Sequence, residues 1–494
     1  MSDLSQRQAL TAELPMQLAA MEKRITVIGD VILDGWLAGS VERVAREAPA
    51  PVVDVFRRDF APGGAANTAM NLAALGARVR IAGVTGTDEP GSTLRKQLQD
   101  AGVDGAQLMA CPGMVTTTKM RITSGGQVLL RVDEAAGSIP APVLDEFAAS
   151  IPDLVDGQAA VIVCDYGNGL LTGAVAEELV RALSSRPPSL LVIVDAHEPK
   201  RWAALNPDLV TPNAKEVARL LGSNLGEGSN RVTTVIDHGS LLLKETGARA
   251  VVVTLDRNGT VLIPSDGGIH RTWARPAPEK RTSGAGDTFV AALALARSAN
   301  VPLTTSLDLA QAAADVVVHD FGTSVCGSAE LSRYLESFTG AALTVDELER
   351  HVQAHRSEGK RIVLTNGCFD VLHSGHTRCL NQAKQLGDVL IVALNSDDSA
   401  RRLKGPDRPI NAIEDRVAVV AALSCVDYVT VFDTPNPVPL LKRIQPDIYA
   451  KGGDYAPDML EETPVVESYG GVVSILDYVP EHSTTALVER IRKP

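Results

Sequence analysis

The sequence has no CxxC pair and no stretch dense in cysteine. Its six cysteines (Cys111, Cys164, Cys326, Cys368, Cys379 and Cys425) are scattered, which excludes a disulfide framework and fits the reduced thiols of a cytosolic protein. None of the nine histidines stands in an HExxH pattern, so no protein-only zinc site is indicated. No apolar run is long enough to cross a membrane; VVVTLDRNGTVLI (251–263) is soon interrupted by charge. The first twenty residues lack the apolar centre of a secretory signal, and a cytoplasmic location is expected. Basic residues are in deficit. A formal charge of −13 argues against general nucleic-acid binding, which leaves a basic footprint. It still permits anionic small molecules, because a few Lys, Arg and backbone N–H groups can hold a phosphate inside an acidic protein.

What is present is the composition of a globular protein, 45% hydrophobic and 22% charged, in a chain of 494 residues that is too long for one ordinary core. Continuous apolar runs such as RITVIGD (24–30), AAVIVCDYG (159–167), SLLVIVDA (189–196) and ARAVVVTLD (248–256) read as strands buried on both faces. Helical stretches between them, such as AANTAMNLAALG (65–76), imply βαβ units and a mainly parallel sheet. After residue 335 a helical, polar-faced segment with a TVDE start signal (Thr344 to Glu347) reads as a linker over 336–358. A second α/β series follows from RIVLTN (361–366), giving domains at 1–335 and 359–494.

In the first domain, TSGAGDTF (282–289) leads into the helical run VAALALARSA. Glycines allow close backbone approach, and a helix N-terminus presents free N–H groups to an anion. An Asp there can take a proton from a hydroxyl in line with a terminal phosphate, which is a phosphoryl-transfer arrangement. A glycine turn capped by Asp287 fits the same letters. In TTKMRITSGGQVLLRVD (117–133), strand alternation can bring Lys119, Arg121 and Arg131 to one face that holds a phosphorylated sugar; a solvated basic edge is equally consistent with that spacing.

Taken together, GGAANTAMNLAALG (63–76), VTPNAKE (210–216), VTLDRNG (253–259), TSGAGDTF and FGTSV (321–325) resemble, in order, the signatures of the ribokinase-like sugar kinases. The resemblance implies an α/β/α domain with a small β lid formed near 31–58 and 115–133, and a homodimer paired through it. It implies Asp287 as catalytic base, with Gly284, Ala285 and Gly286 lining an anion hole. Asp30, Asp34, Gly64 and Asn67 would face the sugar, while Asn213, Glu216, Thr254 and Gly259 would bind ATP, with Mg2+ carried by the phosphates and Glu216 near it. The chain departs from that family twice. Arg281 stands where an Asp is usual, and Asp256 where a Gly is common. A cation at 281 either contacts phosphate itself or leaves the first domain a silent sugar-phosphate sensor.

In the second domain, TNGCFDVLHSGH (365–376) sets two imidazoles, His373 and His376, at a strand–helix junction. Such a pair can hydrogen-bond phosphate oxygens and stabilise charge on a pentacoordinate phosphorus. A metal pair would need a third ligand that is not nearby. The motif is similar to the signature of the cytidylyltransferase-like nucleotidyltransferases. NSDDSARRLKGPDRPINAIEDR (395–416), KGGDY (451–455) and HSTTALVERI (482–491) resemble the adenylyltransferase half of the bifunctional heptose enzymes. That resemblance implies a Rossmann-like parallel sheet and two ATP-dependent steps: phosphorylation of heptose 7-phosphate at O1, then adenylylation of heptose 1-phosphate. Another sugar phosphate is the alternative. Asn366, Gly367, Phe369, Asp370, His373, His376, Asp397, Lys404, Arg416, Lys451, Asp454, Ser483 and Thr484 would form the second site. Its lead into the STT segment, Pro480-Glu481-His482, differs from the usual small polar or Gly-rich one.

Overall fold

The computed structural model describes residues 10–135, 137–226, 229–274, 284–318, 325–337, 341–372, 374–453 and 459–476. Arg281, His373, Asp454, Ser483, Thr484, the 480–482 lead and most of FGTSV lie outside the described residues.

The first unit carries β1 (Arg24–Gly29), β2 (Val31–Val44), β3 (Pro51–Gly64), β4 (Arg78–Gly86), β5 (Asp104–Cys111), β6 (Thr118–Ser124), β7 (Gln127–Glu134), β8 (Ala160–Asp165), β9 (Leu191–Ala196), β10 (Leu209–Val210), β11 (Ala250–Thr254), β12 (Thr260–Pro264) and β13 (His270–Thr272). Nine of these form one sheet in the order β13-β12-β11-β10-β9-β8-β1-β4-β5. It is parallel from β11 to β5, and β12 and β13 add antiparallel at one edge. Every residue of β8 is buried, as its continuous apolar run predicts. Helices Ala65–Ala74, Ala285–Ser298 and Leu303–Val317 cover one face, and Ala141–Val155, Gly173–Ser184 and Gly239–Thr246 the other. The expected lid is a separate four-stranded sheet, β3-β2-β6-β7.

The second unit is a sheet of β14 (Ala342–Leu343), β15 (Ile362–Gly367), β16 (Val389–Asn395), β17 (Tyr428–Phe432), β18 (Ile448–Gly452) and β19 (Val472–Leu476), in the order β14-β17-β16-β15-β18-β19 and parallel throughout. The segment read as a linker over 336–358 contributes to this unit. β14 pairs with β17, and helix Val345–Ser357 buries Leu348 and Val352 in the second core. The Thr344–Glu347 capping box forms as its letters suggest, and the exposed polar face is that of a helix covered by a sheet on one side only. Trp273 and Tyr334 of the first unit pack against the other hydrophobic cluster of the second unit, which holds Val363, Leu380, Val392 and Val417. Among the described residues no helix is long and apolar enough to cross a membrane.

Candidate active sites

The first site lies beyond the carboxyl ends of the central strands, where open α/β sheets bind ligands. Gly284 precedes helix Ala285–Ser298 with φ at +88°, a conformation that glycine adopts without strain, and Asp287 follows in the first turn. Asn67 comes from helix Ala65–Ala74. Its Nδ2 donates to Asp287 Oδ2 at 2.7 Å and to the Gly284 carbonyl at 3.4 Å. Asn71, one turn on, donates to Asn67 Oδ1 at 3.1 Å and accepts from Thr288 Oγ1 at 3.0 Å, which fixes the amide's orientation. The two glycine-rich signatures are therefore tied to each other at the expected base. Gly64, at the start of the same helix with φ +58°, would bring a Cβ to 2.9 Å from the Asp30 carbonyl.

Asp287 is half-buried. Burial first, with the negative charges of Asp195 and Asp34 adding to it, pushes its carboxyl up to about 7 against the hydrogen bonds from Asn67 and Tyr166. A base poised there matches proton removal near neutral pH. Asp30 accepts from the backbone N–H of Tyr166 at 2.9 Å and of Asn168 at 3.0 Å, and burial raises its pKa. Asp34 is paired with Arg121 at 2.8 Å, and that guanidinium lies 5.1 Å from the Trp36 ring centre. Lys119 stands in register with Asp34, and Arg121 with both Trp36 and Arg131, so the three cations share one face of the lid. Arg131, half exposed, is paired with Asp133 at 2.8 Å.

On the nucleotide side, Asn213 caps helix Ala214–Leu221 and is bridged to Thr254. Glu216 Oε2 accepts from the Asn213 N–H at 2.8 Å, and its Oε1 is 2.8 Å from His197 Nδ1, whose pKa that contact raises. Asp256 sits at φ +51°, which explains why a glycine suits that turn; an Asp also tolerates the left-handed region. Gly259, with φ +75°, allows no substitute, because a Cβ would fall 2.0 Å from the Thr272 carbonyl oxygen.

In the second unit, β15 ends at Gly367 and Phe369 follows at φ +44°, its ring 5.2 Å from that of His376. Asn366 Oδ1 accepts from Tyr449 Oη at 2.6 Å and from Lys451 Nζ at 3.1 Å, and Lys451 also reaches Glu462 at 3.3 Å. Asp370 and Arg416 have inward roles. The Asp370 carboxylate accepts from Arg408 and from the backbone N–H of Ile410 at 2.6 Å and of Asn411 at 3.2 Å. Arg416 is 2% exposed and donates to the carbonyls of Cys368, Asn395 and Asn411 and to Asp397 Oδ1 at 2.6 Å. It braces the loops around the site. Lys404, at the end of helix Asp397–Lys404, is exposed.

The sequence reading missed Tyr166, Asn168, Asp195 and His197 in the first site, and Tyr449 and Glu462 in the second. Tyr166 and Asp195 stand at the carboxyl ends of strands already quoted above, and polar residues there are a usable signal.

The pfkB family carbohydrate kinases match residues 22–330, and the cytidylyltransferase-like family matches residues 364–490. A bifunctional protein HldE of Alcanivorax borkumensis is 39% identical over 96% of this chain and 98% of its own length. One from Hahella chejuensis is 37% identical over 97% and 98%. The chain belongs to the bifunctional HldE family. Like its HldE relatives, it joins a carbohydrate kinase to a nucleotidyltransferase in one polypeptide. The kinase fold is also that of an Arabidopsis thaliana ribokinase complexed with ribose and ATP, with TM-score 0.51, 20% identity, and 64% of this chain and 99% of that chain covered. Phosphofructokinase-2 from Escherichia coli gives TM-score 0.52 and 18% identity over 63% and 98%.

Proposed function

We propose that the first head phosphorylates O1 of D-glycero-D-manno-heptose 7-phosphate, and that the second transfers AMP from ATP to heptose 1-phosphate. The observation that carries the first assignment is Asp287, held by Asn67 beside the N-terminus of helix Ala285–Ser298. Asp287 takes the O1 proton as that oxygen bonds to the γ-phosphorus of ATP and the bond to the β-phosphate oxygen breaks. Gly284, Ala285 and Gly286 offer N–H groups to the transferring charge, and Lys119, Arg121 and Arg131 face the 7-phosphate. Mg2+, when bound to the phosphates, neutralises their charge. Glu216, a hard oxygen donor beside the nucleotide turn, suits the ion's water shell.

After a separate phosphatase has removed the 7-phosphate, an oxygen of the sugar 1-phosphate attacks the ATP α-phosphorus and pyrophosphate leaves. His373, His376 and Lys451 stabilise that charge, while Asn366 and Glu462 orient Lys451. We assign Asp454, Ser483 and Thr484 to this reaction by their motifs alone, and Asp397 and Arg416 hold the walls of the site. The enzyme acts in the cytoplasm as a homodimer paired through the lid sheet, where Phe56, Val128, Leu129, Leu130 and Val132 are exposed.

Incubation with ATP and a panel of sugar 7-phosphates and 1-phosphates, read by mass spectrometry, tests both heads. Turnover of the 7-phosphate shows that the kinase works with Arg281 in place; turnover of a different sugar alone would replace heptose. Undiminished adenylyl transfer by a folded His376→Ala variant would remove His376 from the second site.

A further inference from the structure

Phosphoryl transfer from ATP to a hydroxyl releases a proton, and Asp287 must shed it before the next turnover. Tyr166 lies between Asp287 and a second carboxylate that the phosphoryl-transfer step does not use. Its hydroxyl is 2.6 Å from Asp195 Oδ2 and 3.5 Å from Asp287 Oδ1. The other oxygen of Asp287 is occupied by Asn67, and the other oxygen of Asp195 accepts from Thr211 Oγ1 at 3.0 Å. A phenol has one proton to give and lone pairs to accept with. While Asp287 is ionised the phenol's single proton is shared between the two carboxylates; once Asp287 is protonated, the phenol donates to Asp195 and offers Asp287 a lone pair.

We propose that Tyr166 is a positioning residue that relays the proton collected by Asp287 to Asp195. The Asp287 Oδ1–H bond breaks as its proton passes to the Tyr166 oxygen, while the phenol's own proton moves to Asp195 Oδ2. Tyr166 ends neutral and Asp287 ends ionised. Asp195 is flanked by His197, which is about half exposed at 47% and opens toward solvent.

Burial is the leading cause that holds both carboxyls high, Asp287 at about 7 and Asp195 at about 6, so a proton can move between them at little cost. Asn67, Tyr166, Asp34 and Asp195 act on Asp287, and Tyr166, Thr211, Glu216 and His197 act on Asp195; the buried Cys164 thiol lies beside both carboxylates and Tyr166, and burial holds it protonated. The Tyr166 hydroxyl lowers the pKa of Asp287, and the charge of Asp195 raises it.

The inference rests on the kinase assignment above, and the test uses the full chain with adenylyl transfer as the internal control for folding. Tyr166→Phe keeps the backbone N–H that holds Asp30. It is expected to lower the kinase kcat by about 10- to 100-fold with KM for both substrates within about twofold, and to move the acid limb of the kcat profile to higher pH. Asp195→Asn is expected to lower kcat similarly but to move that limb to lower pH. The double variant should be no slower than the slower single one, because both interrupt one chain of hydrogen bonds. Limbs that move in the same direction, or a Tyr166→Phe kcat within about twofold of the parent, would overturn the relay while leaving the kinase intact. A parent chain that does not phosphorylate any sugar phosphate would overturn both.

Discussion

At the residue scale, burial makes Asp287 a costly carboxylate to ionise in the kinase head. Its pKa of about 7 and that of Asp195 at about 6 stand above the ordinary 3.8, so the folded chain binds these protons more tightly than the unfolded one. The resulting stability is complete below about pH 4 and is lost as pH rises through about 6 to 7. Asp287→Asn should therefore raise the unfolding midpoint of the first unit by roughly 2–4 °C at pH 8 and leave it unchanged at pH 4, read by calorimetry. The same variant should lose at least about 100-fold in kinase turnover while adenylyl transfer persists. In the second site, Lys451→Met leaves the Asn366 and Glu462 oxygens without their cation. It should slow adenylyl transfer by about 100-fold with kinase turnover unaffected, measured as pyrophosphate release.

At the scale of elements, two constraints stand out. The turn from β11 to β12 passes so close to Thr272 that Gly259→Ala should raise the kinase KM for ATP by at least about tenfold and destabilise the first unit by roughly 2–4 kcal/mol. Asp256→Gly in the same turn should be nearly silent in a denaturant titration, since Asp256 is exposed and its left-handed conformation suits either residue. Arg416 joins the loop after β15, the end of β16 and the loop at Asn411 through one buried guanidinium. Arg416→Met would leave those carbonyls and Asp397 unsatisfied, at a cost of about 3–5 kcal/mol to the second unit. Adenylyl transfer should then fail through a lowered unfolding midpoint rather than a raised KM.

At the scale of the whole molecule, the lid sheet exposes apolar side chains, and β7 is exposed along its full length. If this face pairs two copies, Phe56→Lys with Leu130→Lys should shift the protein from dimer to monomer in sedimentation velocity. Adenylyl transfer, which lies in the other unit, should be retained. The sheet also aligns Lys119, Arg121 and Arg131 on one face, so its placement sets where these three cations stand.

Much of this architecture was legible in the sequence because burial leaves periodic traces. The strand runs, the capping box at Thr344 and the lid segments are local patterns, and each formed where its letters stand. The division between units was read less well. A polar-faced helix such as Val345–Ser357 has the same letters whether it spans two domains or lies against one sheet. Tertiary structure alone decided the direction of the polar side chains. By their letters Asp370 and Arg416 count among the second-site residues, yet their side chains turn inward to satisfy backbone groups, since charge in a sequence does not reveal its partner. Tyr166 meets Asp195, 29 residues on, because adjacent parallel strands end at one rim, and it meets Asp287, 121 residues on, across the same rim. The sequence by itself determined that a carboxylate stands beside a glycine turn at the start of helix Ala285–Ser298, because that is a local pattern; only the fold decided which side chains surround the carboxylate, because they come from distant strands and helices.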